Sequence, residues 1–117
     1  DVIGHCGQEA FPFDHEKVVK AFKEYGKIVE INNNSRNVRQ DSIENCVEIA
    51  KLCKKYQVPV CVDSDAHICF EIGNVGASLQ MLEEIGFPQE LILNLEGQRI
   101  TDFIRQKKGK DYPVFRG

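Results

Sequence analysis

The chain has 117 residues, 42% hydrophobic and 28% charged, with a formal net charge of −3, the balance of one small globular domain that can bury roughly two-thirds of the surface it exposes when unfolded. The acidic balance argues against a dedicated nucleic-acid binder, whose phosphate contacts need a basic face. No apolar run reaches the roughly 20 residues needed to span a bilayer, and there is no repeat or low-complexity tract.

The first strand signal is Asp1-Val2-Ile3, ending at Gly4-His5. After a loop closed by Phe11-Pro12-Phe13, Asp14 is placed to cap a helix, with Phe13 and Val18 as a hydrophobic staple. Val18, Val19, Phe22 and Tyr25 define its apolar side and Gly26 is its stop signal. Lys27 to Ile31 reads as a second strand, breaking into the polar stretch Asn32 to Asn37. Asp41 and Glu44 have capping-box spacing and open a helix running to about Tyr56. Its inner face carries Ile43, Cys46, Ile49, Ala50 and Cys53. Val58 to Val62 is the third strand signal, with Pro59, which has no N–H, expected at its start. It leads straight into Asp63-Ser64-Asp65-Ala66-His67. Val75, Leu79, Leu82 and Ile85 mark another helix, stopped by Gly86. Leu91 to Leu95 suggests an abbreviated strand, and Gly97 to about Lys108 a last helix with Ile100, Phe103 and Ile104 inward. Residues 112–117 read as a tail.

The alternation of strands and helices is the signature of parallel βαβ units. An α/β fold with three to four parallel strands is therefore expected, as a single domain over residues 1–117. The five cysteines are odd in number and contain no C-x-x-C pair. That pattern points to reduced thiols and a cytoplasmic protein rather than a disulfide framework.

In parallel α/β folds, functional groups gather at the carboxyl ends of strands, and three such ends here are polar. Asp65 and His67, two positions apart, face one way if the chain is extended, and then offer oxygen and nitrogen donors that suit Zn²⁺, Mn²⁺ or Fe²⁺. The competing reading is a loop leading into a helix, with Asp65 as a cap and His67 at the surface. His5, flanked by Gly4 and Gly7, is either a further ligand or a histidine hydrogen-bonded at a strand end. Asn33, Arg36 and Arg39 supply amides and planar donor forks that suit a phosphate, or else form a solvated loop. His15 is expected at the surface, since a cation is disfavoured in the first turn of a helix. A zinc site from His5, Cys6, His67 and Cys69 matches no zinc-finger spacing.

Taken in order, Asp1-Val2-Ile3-Gly4-His5, Glu30-Ile31-Asn32-Asn33 and Asp63-Ser64-Asp65-Ala66-His67 resemble the later half of a PHP (polymerase and histidinol phosphatase) domain. The resemblance is to the small stand-alone phosphatase branch, and Phe87 to Asn94 continues it. It implies the C-terminal portion of a distorted, TIM-like (β/α)7 barrel with up to three divalent ions (Zn, Mn or Fe) at its carboxyl rim. It implies His5, Asp65 and His67 as metal ligands, and the loop bearing Asn33, Arg36 and Arg39 as the binder of a substrate phosphate. Cys6 stands where the family has proline and Ala66 where it has serine.

For the complete domain the resemblance implies hydrolysis of phosphate monoesters by metal-activated water. The family's early H-x-H motif, further histidines and bridging glutamate have no counterpart in this chain. A full barrel takes around 250 residues, so residues 1–117 are expected to be about half of one, inactive alone, with weak or partial metal occupancy. Open sheet edges predict a homodimer or association with the missing N-terminal half. The competing functions are a non-catalytic module completed by a partner, and a nuclease or polymerase-associated PHP domain.

Overall fold

The computed structural model describes residues 2–4, 14–33, 40–66 and 69–108. Three strands form one parallel sheet in the order β1 (Val2–Ile3), β2 (Ile28–Asn32) and β3 (Val60–Asp63). In the register of β2 and β3, Val29 faces Val60 and Asn32 faces Asp63. Pro59 sits just before β3, where its carbonyl accepts from the Val29 N–H at 3.1 Å and no donor is asked of it.

The helices are α1 (His15–Glu24), α2 (Gln40–Tyr56), α3 (Gly76–Glu84) and α4 (Gly97–Lys108). Asp14 caps α1, its carboxylate accepting from the Lys17 N–H at 3.1 Å. Gly26, at φ +61°, closes α1 in the left-handed conformation that costs glycine little. α2 already includes Gln40, which places Asp41 inside the helix rather than ahead of it.

Side chains alternate across the strands, and this divides the molecule into layers. Val29, Ile31, Val60 and Val62 join Val19, Ile49, Ala50, Cys53, Met81 and Leu82 in one buried core beneath α1, α2 and α3. The opposite face presents Val2, Ile28 and Cys61 to Ile100, Phe103 and Ile104 of α4, around an apolar groove of about 270 Å³. Lys107 at the far end of α4 donates to the Tyr25 carbonyl, just before β2, at 3.2 Å. The helix thus lies over the amino-terminal half of that face, and the carboxyl half, with Glu30 and Asn32, extends beyond it.

Two further sequence expectations change. Leu91–Leu95 is not a strand: two 3₁₀ turns, Gln89–Leu91 and Leu93–Leu95, flank a single parallel bridge between Ile92 and Val60. The described sheet therefore has three strands and a vestige of a fourth. His15 is not a surface residue either: its side chain is 14% exposed and its Nδ1 lies 2.9 Å from Glu48 Oε2. The contact with Glu48 draws the ring towards α2 and away from solvent.

Cys46, Cys53, Cys61 and Cys69 form no disulfide with one another, and Cys46 and Cys53 are buried on the inner face of α2 as expected. Among the described residues, no helix is long and apolar enough to cross a membrane. The tail at 112–117 lies outside the described residues.

Candidate active site

The carboxyl end of the sheet brings together residues from β2 and from the segment after β3. Glu30 and Asn32, two apart on β2, point to the face that α4 leaves open. Asn32 is 4% exposed. Its Nδ2 donates to Glu30 Oε1 at 3.0 Å and to Asp65 Oδ2 at 3.1 Å. Asp65 follows β3 with φ +47°, a left-handed backbone that an aspartate tolerates better than most side chains. That turn carries its carboxylate sideways from β3 onto the end of β2.

Gly4, at the end of β1, contributes by what it lacks. A Cβ there would stand 2.8 Å from Glu30 Oε2, so the absence of a side chain lets the Glu30 carboxylate lie across the end of β1. Glu30, Asn32 and Asp65 tie the ends of β2 and β3 into one rim, with Gly4 at the end of β1 beside it.

The acidic character of this face registers on Cys61, whose thiol is pushed up to about 11 from an ordinary 9.0. Burial is the main cause, and the negative charges of Asp63 and Glu30 add to it. Cys61 is thus a neutral thiol at physiological pH, a packing group rather than a nucleophile.

Asn33 turns the other way. It is 6% exposed, and its Oδ1 accepts from the Ser78 N–H in the first turn of α3 at 2.9 Å. Val75, the residue at the cap position of that helix, makes no side-chain cap bond. Asn33 therefore caps α3 from just beyond the end of β2, while its own N–H extends the ladder to the Asp63 carbonyl at 2.9 Å. Of the expected phosphate-binding residues, Arg36 and Arg39 lie outside the described residues, as do the expected ligands His5 and His67.

Asp65 is the one expected ligand that is described. Among the described residues, no group of three histidine, cysteine, aspartate or glutamate side chains converges tightly enough to hold a metal ion. The donors are nevertheless of the hard oxygen type that divalent cations take. Sequence reasoning gave no role to Glu30 and weighed Asn32 only as the start of a polar stretch suited to an anion, not as a partner of Asp65. The available signal was period-two placement of two polar residues at the end of an otherwise apolar strand.

No family model matches the chain. The chain is similar to bacterial proteins named probable phosphatases. That of Clostridium botulinum (strain Langeland) is 45% identical over 107 residues, covering 92% of this chain and 44% of the relative. That of Acetivibrio thermocellus is 44% identical over 108 residues, with 92% and 45% covered. That of Clostridium novyi is 43% identical over 116 residues, with 97% and 48% covered. The chain spans less than half the length of these curated relatives.

Proposed function

We propose that this chain forms part of a metal-dependent phosphoesterase of the PHP type, acting on phosphate monoesters. The observation that carries the reading is the placement of Asp65: a carboxylate drawn by Asn32 to the carboxyl end of a parallel sheet, where α/β enzymes assemble their sites. The similarity to proteins named probable phosphatases supports it. In this proposal the sheet is the C-terminal portion of a TIM-like barrel. The edge of β1 away from β2 pairs with no strand among the described residues, and the rest of the protein docks there.

The donor chemistry suits Zn²⁺, Mn²⁺ or Fe²⁺: Asp65 is an anionic oxygen donor, and His5 and His67 are the nitrogen donors of the proposal. A bound divalent ion would supply Lewis acidity, polarising a phosphoryl oxygen and lowering the pKa of water. This chain's own contribution is to hold Asp65 in a fixed direction and to keep the rim acidic. Arg36 and Arg39 are proposed to orient the substrate phosphate through their planar donor forks.

The test is Asp65→Asn in the intact protein, with bound metal measured by elemental analysis and turnover measured on p-nitrophenyl phosphate. Both are expected to fall at least tenfold. An unchanged metal stoichiometry would overturn the assignment of Asp65 as a ligand.

A further inference from the structure

We infer that Asn32 is a positioning residue, whose side-chain amide fixes the direction of the Asp65 carboxylate by anchoring it to Glu30. The inference rests on the metal-dependent reading for its functional consequence, but the bridge itself is a property of the chain. An amide nitrogen carries two hydrogens, and here it donates to two carboxylate oxygens, Glu30 Oε1 at 3.0 Å and Asp65 Oδ2 at 3.1 Å. That arrangement determines which way the amide faces, because its oxygen in the same place would oppose two acceptors.

The bridge does two physical jobs. It places a neutral double donor between two anions that would otherwise repel each other. It also fixes one oxygen of a carboxylate that hangs from a left-handed turn at φ +47°, outside the regular ladder of β3. Asn32 is itself 4% exposed and held on β2, so the reference point is rigid. Glu30 is the second anchor, seated over Gly4 where a Cβ would come within 2.8 Å of its Oε2. Hydrogen-bond partners of this kind orient ligating carboxylates, and their loss costs metal affinity even though they never touch the ion.

The experiment uses the intact protein and Mn²⁺ alone as the probe. Asn32→Ala and Asn32→Asp both remove the double donor, and each is expected to weaken Mn²⁺ binding roughly 10- to 100-fold in a calorimetric titration. Asn94→Ala is the control for a merely structural loss, since Asn94 braces the Val62 backbone; it is expected to lower stability with Mn²⁺ affinity within about twofold of the parent. A metal-free readout stands beside this. In the ¹H–¹⁵N spectrum without metal, Asp65→Ala is expected to shift the Asn32 side-chain amide resonances and leave those of Asn94 in place.

An Asn32 amide that does not respond to Asp65→Ala overturns the bridge. A responding amide with unchanged Mn²⁺ affinity in the Asn32 variants overturns the positioning role. A responding amide in a parent protein that binds no Mn²⁺ supports the bridge and overturns the metal reading. The two failures are therefore distinguishable.

Discussion

Asn94 engages the backbone of Val62 as a neighbouring strand would: its Oδ1 accepts from the Val62 N–H at 2.9 Å, and its Nδ2 donates to the Val62 carbonyl. One side chain thus satisfies both groups of a residue on the outer edge of β3, where, among the described residues, only Ile92 makes a strand-like bridge. This explains why the apolar run around it need not extend into a full strand.

Asn94→Ala should therefore cost about 1–3 kcal/mol, because it leaves a donor and an acceptor of a largely buried residue without their partner. Asn94→Asp keeps the acceptor but sets a charge against the Val62 carbonyl, and should cost at least as much. Urea unfolding monitored by circular dichroism measures both. A loss below about 0.5 kcal/mol for Asn94→Ala would be the ordinary effect of a surface change and would contradict the bracing role.

Gln57 occupies a position that the chain elsewhere gives to glycine. At the end of α1 the Lys27 N–H bonds the Phe22 carbonyl across Gly26, and at the end of α3 the Phe87 N–H bonds the Leu82 carbonyl across Gly86. At the end of α2 the Val58 N–H bonds the Cys53 carbonyl in the same way, across Gln57 at φ +55°. Only this third stop carries a side chain in the left-handed region. Gln57→Gly is expected to raise stability by about 0.5–1 kcal/mol, seen as a higher unfolding midpoint. A lower midpoint would show that contacts of the Gln57 side chain outweigh the backbone strain.

The contrast between these stops shows what the sequence disclosed and what it withheld. Gly26 and Gly86 announced their helix ends, whereas Gln57 gave no residue-type signal and its stop is visible only in the backbone. The strands and the buried thiols Cys46 and Cys53 were legible because periodicity encodes which side chains face the core. Leu91–Leu95 was misleading, since a short apolar run fits a strand or a pair of tight turns equally well and the Asn94 contact to Val62 decides between them. Asp65 was legible as a candidate from its place after an apolar strand. The clamp on it was not, because Asn32 and Asp65 are 33 positions apart and meet only when the chain after β3 turns back towards β2.

Cys61 gives a prediction in pH. Burial, with help from Asp63 and Glu30, raises its thiol to about 11. At pH 8 its thiolate fraction is then on the order of 10⁻³, and alkylation by iodoacetamide should run roughly 100-fold slower than for an ordinary thiol. The rate should climb about tenfold per pH unit until the thiol ionises. Site-resolved mass spectrometry provides the comparison with Cys69, which is exposed, and the same thiols after denaturation. The linkage has a matching sign. The folded state favours the neutral thiol, so the stability it contributes is present below the ordinary value of 9.0 and is lost as pH rises towards about 11. Cys61→Ala should flatten that alkaline decline, and an unaltered slope would assign it to other groups.

Asp65 combines the candidate chemistry with an unfavourable backbone, and two substitutions separate them. Asp65→Gly and Asp65→Ala both delete the carboxylate and its bond to Asn32, so both should abolish the Mn²⁺ binding proposed for this site. They differ in the backbone at φ +47°, which glycine adopts freely and alanine does not. Asp65→Gly is therefore expected to be the more stable of the two by about 1 kcal/mol, a difference readable as separate midpoints in thermal or urea unfolding. Equal stabilities would mean that the left-handed turn relaxes once the carboxylate is gone. In that case the hydrogen bond to Asn32 would be what holds the turn, rather than the path of the chain leaving β3.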